Sequence, residues 1–540
     1  MRADTLRTYK TVHTWSGIVA GLALFIAFYA GALTMFKGPL ARWAAPPVEA
    51  TSGDLAAADA LVAATLAARP DARADFTLHL GDGVHQPHRM TWKPRGEPPQ
   101  QPWSATLAPD GALQVRAQRE TDIGEFVDVV HRTAGLPVDL ELGTALMGLV
   151  SALYMVAIVS GVIVLWPTLV KDFFAFRVGR NLKRMWLDAH NVIGIVSLPF
   201  HVVMALSAVV FGLHDVIYDA QKAAVYGDRF EQIWSASGPF AAVPPDAAPA
   251  AALPPAALLA RVQAQVPGLE AHAVRFRGAG TAGGVAWVTG AQPCCMPRSA
   301  EGGHVLVSAV DGGVRHTEYL AGRQSGWMAS VSAFFSLHFG TYGGSPVRWG
   351  YFFLGLAGAF LFYSGNLLWI ESRRRADRRR PDAAMVQKRS TRWMAAATVG
   401  VCLGCVAGLS LGIAAGKWLH GHVADLDAWH RSVYLGVFAG CVAWACARGA
   451  ARAAVELLWF AAAATLAIPL ATLVGVLWPG SGLWAHRDAA ALGVDLVAVV
   501  GAMAFVMMAR ATARRQMQGE RQSVWSATRP QPPQLTARKA

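Results

Sequence analysis

Apolar residues recur along the chain in eight long runs, near 11–36, 142–167, 187–212, 346–370, 392–416, 431–448, 454–478 and 491–509. Crossing a bilayer takes about 20 mostly apolar residues at 1.5 Å rise each, so the pattern predicts about eight transmembrane helices. Two polar stretches, 37–141 and 213–345, interrupt the series. Each opens on an amphipathic helix pattern, at 55–68 and 256–266, and continues into strand-like runs. These runs are Phe76–His79, Met90–Lys93 and Ser104–Leu107, then Ala273–Phe276, Val285–Thr289 and His304–Ala309. Pro109-Asp110-Gly111 and Asp311-Gly312-Gly313 stand where hairpin turns belong. A helix followed by a small antiparallel sheet thus occurs twice. The predicted fold class is a membrane all-α bundle carrying two small extracytoplasmic α+β modules.

Composition agrees with this pattern. Apolar residues make up 54% of the 540 and charged residues 15%, which excludes a string of soluble domains. A net charge of +13 would suit a nucleic-acid binder, but the basic residues flank the apolar runs. Arg2, Arg7 and Lys10 precede the first; Lys171, Arg177, Arg180, Lys183 and Arg184 fill the second short loop; Arg373–Arg375, Arg378–Arg380, Arg448, Arg452 and the tail follow later ones. This is the positive-inside pattern, with no basic face interleaved with aromatics, so nucleic acid is not an expected partner. It predicts a multi-pass protein of a bacterial-type inner membrane with both termini cytoplasmic. The first run lacks a small-residue cleavage site and reads as a retained helix. The expected divisions are a first helix (1–40), a module (41–130), helices two and three (131–212), a second module (213–330), helix four (331–372), a basic loop (373–391), four more helices (392–509) and a disordered basic tail (510–540).

Two motifs carry less than they promise. Gly278-x-Gly280-x-x-Gly283 has the letters of a dinucleotide fingerprint but precedes a strand-like run, and without a helix N-terminus there is no phosphate site; it reads as a hairpin loop. Cys402, Cys405, Cys441 and Cys446 lie in apolar runs as ordinary buried thiols, whereas the vicinal Cys294-Cys295 is open to a redox or metal role as well as a structural one. No nucleophile and base stand together as a hydrolase needs.

The histidines are the informative feature. His13 opens span one, His131 precedes span two, His190 opens span three with His201 inside it, and His338 precedes span four. Ionisable groups at membrane depth are costly and tend to be functional. On a single helix, His190 and His201 would lie about 20° off one face and roughly 16 Å apart, which suits two metal centres at two depths. Imidazoles from facing helices can hold haem iron axially; structural histidines or a proton path remain alternatives. Depth pairs His13 with His190 on the cytoplasmic side, and an outer centre would draw on His131, His201 and His338. Glycines 17, 21, 31, 143, 148, 161, 194, 355, 358 and 365 would let a flat macrocycle approach the helices. In the last four spans, His420, His422, His430 and His486 read as interface histidines, with a third haem or metal site as the alternative.

His13-Thr-Trp-Ser-Gly17, His131-Arg-Thr with Gly135, Trp186-Leu-Asp-Ala-His190-Asn-Val-Ile-Gly194, Leu198-Pro-Phe-His201 and Leu337-His338-Phe-Gly340-Thr-Tyr-Gly-Gly344 occur in order at span boundaries. In these pieces, over about residues 5–372, the chain resembles the PepSY-associated transmembrane family of iron-regulated membrane proteins, which includes siderophore-linked iron reductases. The resemblance implies PepSY-like modules outside the membrane and two b-type haems held by His13, His131, His190, His201 and His338. It implies electron transfer to an extracytoplasmic ferric siderophore. With no flavin or nicotinamide fingerprint in the chain, the donor is expected to be quinol or a cytoplasmic flavin or nicotinamide reductase. Two readings of other classes stand beside it: a sensor or assembly protein whose modules bind a partner, and a metal or siderophore transporter with a helix broken at Pro199.

Overall fold

In the computed structural model the described residues are 3–47, 53–81, 88–94, 102–117, 123–170, 182–237, 248–292, 295–378, 388–423, 425–518 and 524–527. The basic loop 171–181, most of the loop after Arg378, Cys294, part of the Ala/Pro connector before Pro255 and the tail beyond 527 fall outside them. The chain divides into two compact units. The first comprises residues 1–45, 121–213 and 352–540, and the second residues 46–120 and 214–351.

Helices of the first unit are α1 (Ala3–Thr34), α2 (Lys37–Ala44), α4 (Ile123–Thr133), α5 (Leu140–Leu165) and α6 (Leu182–Val196). They continue with most of α7 (Leu198–Gln221) and α11 (Gly344–Arg378), then α12 (Arg389–Trp418), α13 (Leu426–Arg448), α14 (Ala450–Leu477) and α15 (Ala489–Gln518). Among the described residues seven helices are long and apolar enough to cross a membrane: α1, α5, α7, α11, α12, α14 and α15. The sixth expected span is present as α13 but is not among the seven, since Asp427, His430 and Arg431 dilute its first turns. The tail expected from residue 510 begins as helix, with α15 continuing to Gln518.

Local chemistry sets the ends of these elements. Asp139 and Asp425 cap α5 and α13, accepting from the backbone N–H of Leu142 at 2.8 Å and Ala428 at 2.9 Å, the usual work of an N-cap carboxylate. The expected third span is not one uninterrupted helix. It stops at Ser197, because Pro199 has no N–H to offer the preceding turn; hydrogen bonds from Ser197 N to Ile193 O and from His201 N to Ser197 O carry the path across. The single-helix spacing of His190 and His201 therefore does not apply.

The second unit holds α3 (Leu55–Ala68), α8 (Arg229–Ser237), α9 (Pro255–Gln265), α10 (Gly326–Phe339) and eight strands. These are β1 (Asp75–His79), β2 (Arg89–Trp92), β3 (Trp103–Leu107), β4 (Leu113–Ala117), β5 (Glu270–Arg277), β6 (Val285–Ala291), β7 (Gly303–Ser308) and β8 (Val314–His316). Both expected hairpin turns are present, with Gly111 at φ 82° and Gly312 at φ 69°, left-handed backbone that glycine adopts freely. The two meanders pair through their first strands into one sheet of order β4-β3-β2-β1-β5-β6-β7-β8. In the β1–β5 ladder Phe76 faces Phe276 and Thr77 faces Arg275, as a local two-fold axis requires. Alternation puts Phe76, Leu78, Val274 and Phe276 on the face that packs against Leu61 of α3 and Leu258 of α9, in one shared core. The Gly278–Gly283 segment is the β5–β6 loop, with Gly278 and Gly280 at positive φ.

Candidate functional site

In the first unit, histidines are anchored by one recurrent device. His13 Nδ1 lies 2.8 Å from the carbonyl oxygen of Ala157, His131 Nδ1 2.7 Å from that of Ala27, and His430 Nδ1 2.7 Å from that of Gly412. A carbonyl only accepts, so in the neutral ring the proton sits on Nδ1 and the lone pair on Nε2. His190 reaches the same state through a hydroxyl. Its Nδ1 is 3.1 Å from Ser364 Oγ, whose own proton goes to Leu361 O at 2.8 Å.

The receiving helices share a sequence feature. Each acceptor turn has a glycine four residues beyond its carbonyl: Ala27 and Gly31, Ala157 and Gly161, Leu361 and Gly365, Gly412 and Gly416. In an α-helix the residue at i+4 donates to carbonyl i, and its Cβ would crowd anything approaching that oxygen from the side. A Cβ built at Gly31 would lie 2.9 Å from His131 Nδ1, and one at Gly161 2.9 Å from His13 Cε1. At Gly416 and Gly365 the nearest imidazole atoms are 3.5 and 3.6 Å away. These glycines are notches that seat imidazoles. Others serve helix packing, Gly148 lying against the backbone of Gly212 and Gly355 against Ala32.

The notches bring the predicted residues together in part. The His13 and His190 rings meet edge-on, with centroids 6.3 Å apart at 74°. His201 is 2% exposed and packs among Phe28, Phe200 and Phe362. Its Nδ1 meets the Tyr154 hydroxyl, while its buried Nε2 has no hydrogen-bond partner. Gly358 faces His201 and Gly365 faces His190; these positions are seven residues apart, about 10 Å along α11. Phe28, against His201, and Gly31, against His131, lie one turn apart on α1. His131 and His201 therefore converge at one level of α1, toward the end opposite His13. His338 belongs to the second unit, in the last turn of α10.

A family model for the PepSY-associated TM region matches residues 10–372. The chain belongs to that family. The match takes in His13, His131, His190, His201 and His338 and stops before α12. A search of curated proteins returned no match. The chain is a multi-pass membrane protein by its family and its seven apolar helices.

The appended helices α12–α15 contain polar groups that sequence reasoning passed over. Lys417, 1% exposed, donates to Thr472 Oγ1 at 2.9 Å and Trp484 O at 3.1 Å, with its Nζ 4.0 Å over the Trp43 ring. Asp495 accepts from Trp43 Nε1 at 2.8 Å and Thr472 Oγ1 at 3.1 Å. This network ties α2, α12, α14 and α15 to one another. A signal was available, because Lys417 and Asp495 are charges at the edges of apolar runs. Of the late histidines, His420 packs edge-on against Trp484 and His486 Nε2 lies 2.8 Å from Ala45 O. His430 is fully buried, stacked on Phe126, with its Nε2 unpartnered, while His422 is exposed.

Among the described residues no three His, Cys, Asp or Glu side chains converge on one point as a metal cage requires. Cys402, Cys405, Cys441 and Cys446 are free thiols, and Cys295 is disulfide-bonded.

Proposed function

We propose that this chain is an inner-membrane electron-transfer protein, both termini cytoplasmic, that carries electrons through two b-type haems to an extracytoplasmic ferric, siderophore-type complex. The observation that carries the reading is His201 Nε2, buried without a hydrogen-bond partner. Leaving such a nitrogen unsatisfied costs about 1–3 kcal/mol, and an axial bond to iron would use it. The meeting of His13 with His190, from two different helices, supports a second centre. A haem at either place supplies a one-electron carrier whose potential follows its axial ligands and burial.

The chain's own groups do the positioning. Ala157 O and Ala27 O hold the Nδ1 protons of His13 and His131, which fixes the tautomer and makes each Nε2 a better donor. Ser364 does the same for His190, and Tyr154 orients His201. Reduction of ferric iron outside the membrane would release it from the oxygen ligands of a siderophore, and the donor is quinol or a cytoplasmic flavin or nicotinamide reductase.

An absorption spectrum of the detergent-purified protein before and after dithionite is the test. Sharp reduced α-bands with about two haems per chain are expected, and single alanine variants at His13, His131, His190, His201 and His338 assign the ligands. A colourless protein made with ample haem would sink this reading. A second reading, a metal or siderophore transporter, draws support from the interruption at Ser197 beside His201. It predicts activity that follows a membrane gradient in a haem-free protein.

A further inference from the structure

Between α13 and α14 lies a groove of about 390 Å³, lined by Val437, Cys441, Trp444, Glu456, Leu457 and Phe460. It is beyond the family region at 10–372, on the helices that the proposed haem reading leaves without a task. Its volume falls within the range of about 300–1,000 Å³ that holds small ligands. Aliphatic and aromatic walls run its length, and Glu456 is its one carboxylate. Glu456 Oε2 accepts from Trp444 Nε1 at 2.6 Å, and Oε1 accepts from Arg448 Nη2 at 2.6 Å. Each carboxylate oxygen has two lone pairs, so Oε1 has capacity for another donor.

We propose that this groove binds a quinol, its diphenol ring between Trp444 and Phe460, one hydroxyl donating to Glu456, and its isoprenoid tail running along the apolar wall into the bilayer. The lining selects this occupant over the alternatives. A bare acyl chain has no donor for a carboxylate, whereas a phenolic hydroxyl meets both the acceptor, which is held by Arg448, and the aromatic walls. The positive-inside orientation puts Arg448, Arg452 and this end of the groove on the cytoplasmic side. Cys441 and Leu457 pack in one cluster with Ile370 of α11. Ile370 is five residues, about 7 Å along the helix, from Gly365, where His190 rests. The groove therefore shares a hydrophobic cluster with α11, the helix whose Gly365 seats His190.

Oxidation of the quinol yields a quinone, two electrons and two protons. The two electrons would pass singly to the haems that His13, His190 and His201 would help to hold, each of which would take up one. The two protons leave to cytoplasmic water, Glu456 serving only to accept the hydrogen bond of the hydroxyl. This step rests on the haem reading; binding of the quinol does not.

The test is photolabelling of the full chain in lipid nanodiscs with an azido-ubiquinone. Cross-links are expected within residues 437–460, protected by excess decylubiquinol but not by phospholipid. A Cβ built at Gly440, in the groove lining, has nothing within 4 Å, so Gly440→Trp is expected to occupy the groove and abolish labelling while the melting temperature stays put. Glu456→Gln weakens decylubiquinol protection by about tenfold, the effect of one hydrogen bond to a charged group. Labelling outside 437–460, equal protection by phospholipid, or full labelling of Gly440→Trp would each overturn the proposal. A colourless protein that still labels as expected would retain the quinol site and remove only the haem reading.

Discussion

The glycine notches make a prediction that separates geometry from general intolerance of substitution. Replacing glycine by alanine inside a helix normally stabilises it by about 1 kcal/mol. At Gly161 the added methyl would sit 2.9 Å from His13 Cε1, closer than carbon atoms tolerate, so the imidazole must leave the Ala157 carbonyl. Overpacking of this kind costs about 1–3 kcal/mol and the lost hydrogen bond about 1 kcal/mol more. Gly161→Ala is therefore expected to be destabilising by about 1–3 kcal/mol net, and Gly31→Ala, with His131 Nδ1 at 2.9 Å, by the same amount. At Gly365 and Gly416 the nearest imidazole atom is 3.6 and 3.5 Å away, ordinary contact, so alanine there is expected to be neutral or stabilising by up to about 1 kcal/mol. Denaturant unfolding of the purified protein in one detergent ranks the four variants. Equal losses at all four positions, or a larger loss at Gly365 than at Gly161, would refute the notch argument.

Other expectations follow from the same contacts. Lys417→Met removes the buried ammonium that donates to Thr472 Oγ1 and Trp484 O, so a loss of about 1–3 kcal/mol is expected in denaturant unfolding. In the second unit, Phe276→Ala removes the ring stacked 4.9 Å from Phe76 at the joint of the two meanders and should cost about 3–5 kcal/mol; Asp75→Asn, at the half-exposed ion pair with Arg275, should change stability by less than about 1 kcal/mol. Burial pushes His304 down to about 4, with His272 and Arg298 adding nearby positive charge. The unfolded chain takes up that proton near pH 6.5 and the folded unit does not, so stability is full above pH 6.5 and falls as the pH drops toward 4. A loss of up to about 2 kcal/mol is expected, allowing for partial exposure. Melting curves at pH 7 and pH 5 check it, and His304→Gln should flatten the difference.

Much of the architecture was legible because bilayers and β-hairpins impose short-range patterns. Each apolar run became helical, the third as two helices divided at Ser197, the helices at 55–68 and 256–266 stand within a residue of their predicted ends, and both turns form at Pro109–Gly111 and Asp311–Gly313. Histidines at span ends were equally visible, as was membership of the family. Three features were not legible. Pro199 marked a possible break, but where the helix would stop depended on its neighbours. The glycines suggested space for a ligand, yet their partners are imidazoles on other helices. Lys417 and Asp495 are about 80 residues apart, and only the meeting of α12 with α14 and α15 makes them one network.

The sequence by itself therefore determined which segments form long apolar helices, which form the two β-meanders and which histidines stand at the ends of the apolar runs. Those properties depend on hydrophobic run length, side-chain period and local turn chemistry, all of which act within a few residues. Tertiary structure alone decided that the two meanders share one sheet through β1 and β5, that His13 meets His190, and that His13 and His131 find carbonyls opened by glycine. Those are pairings between residues up to about 200 positions apart. No local pattern encodes them, because each depends on which faces come into contact once the helices and strands have packed.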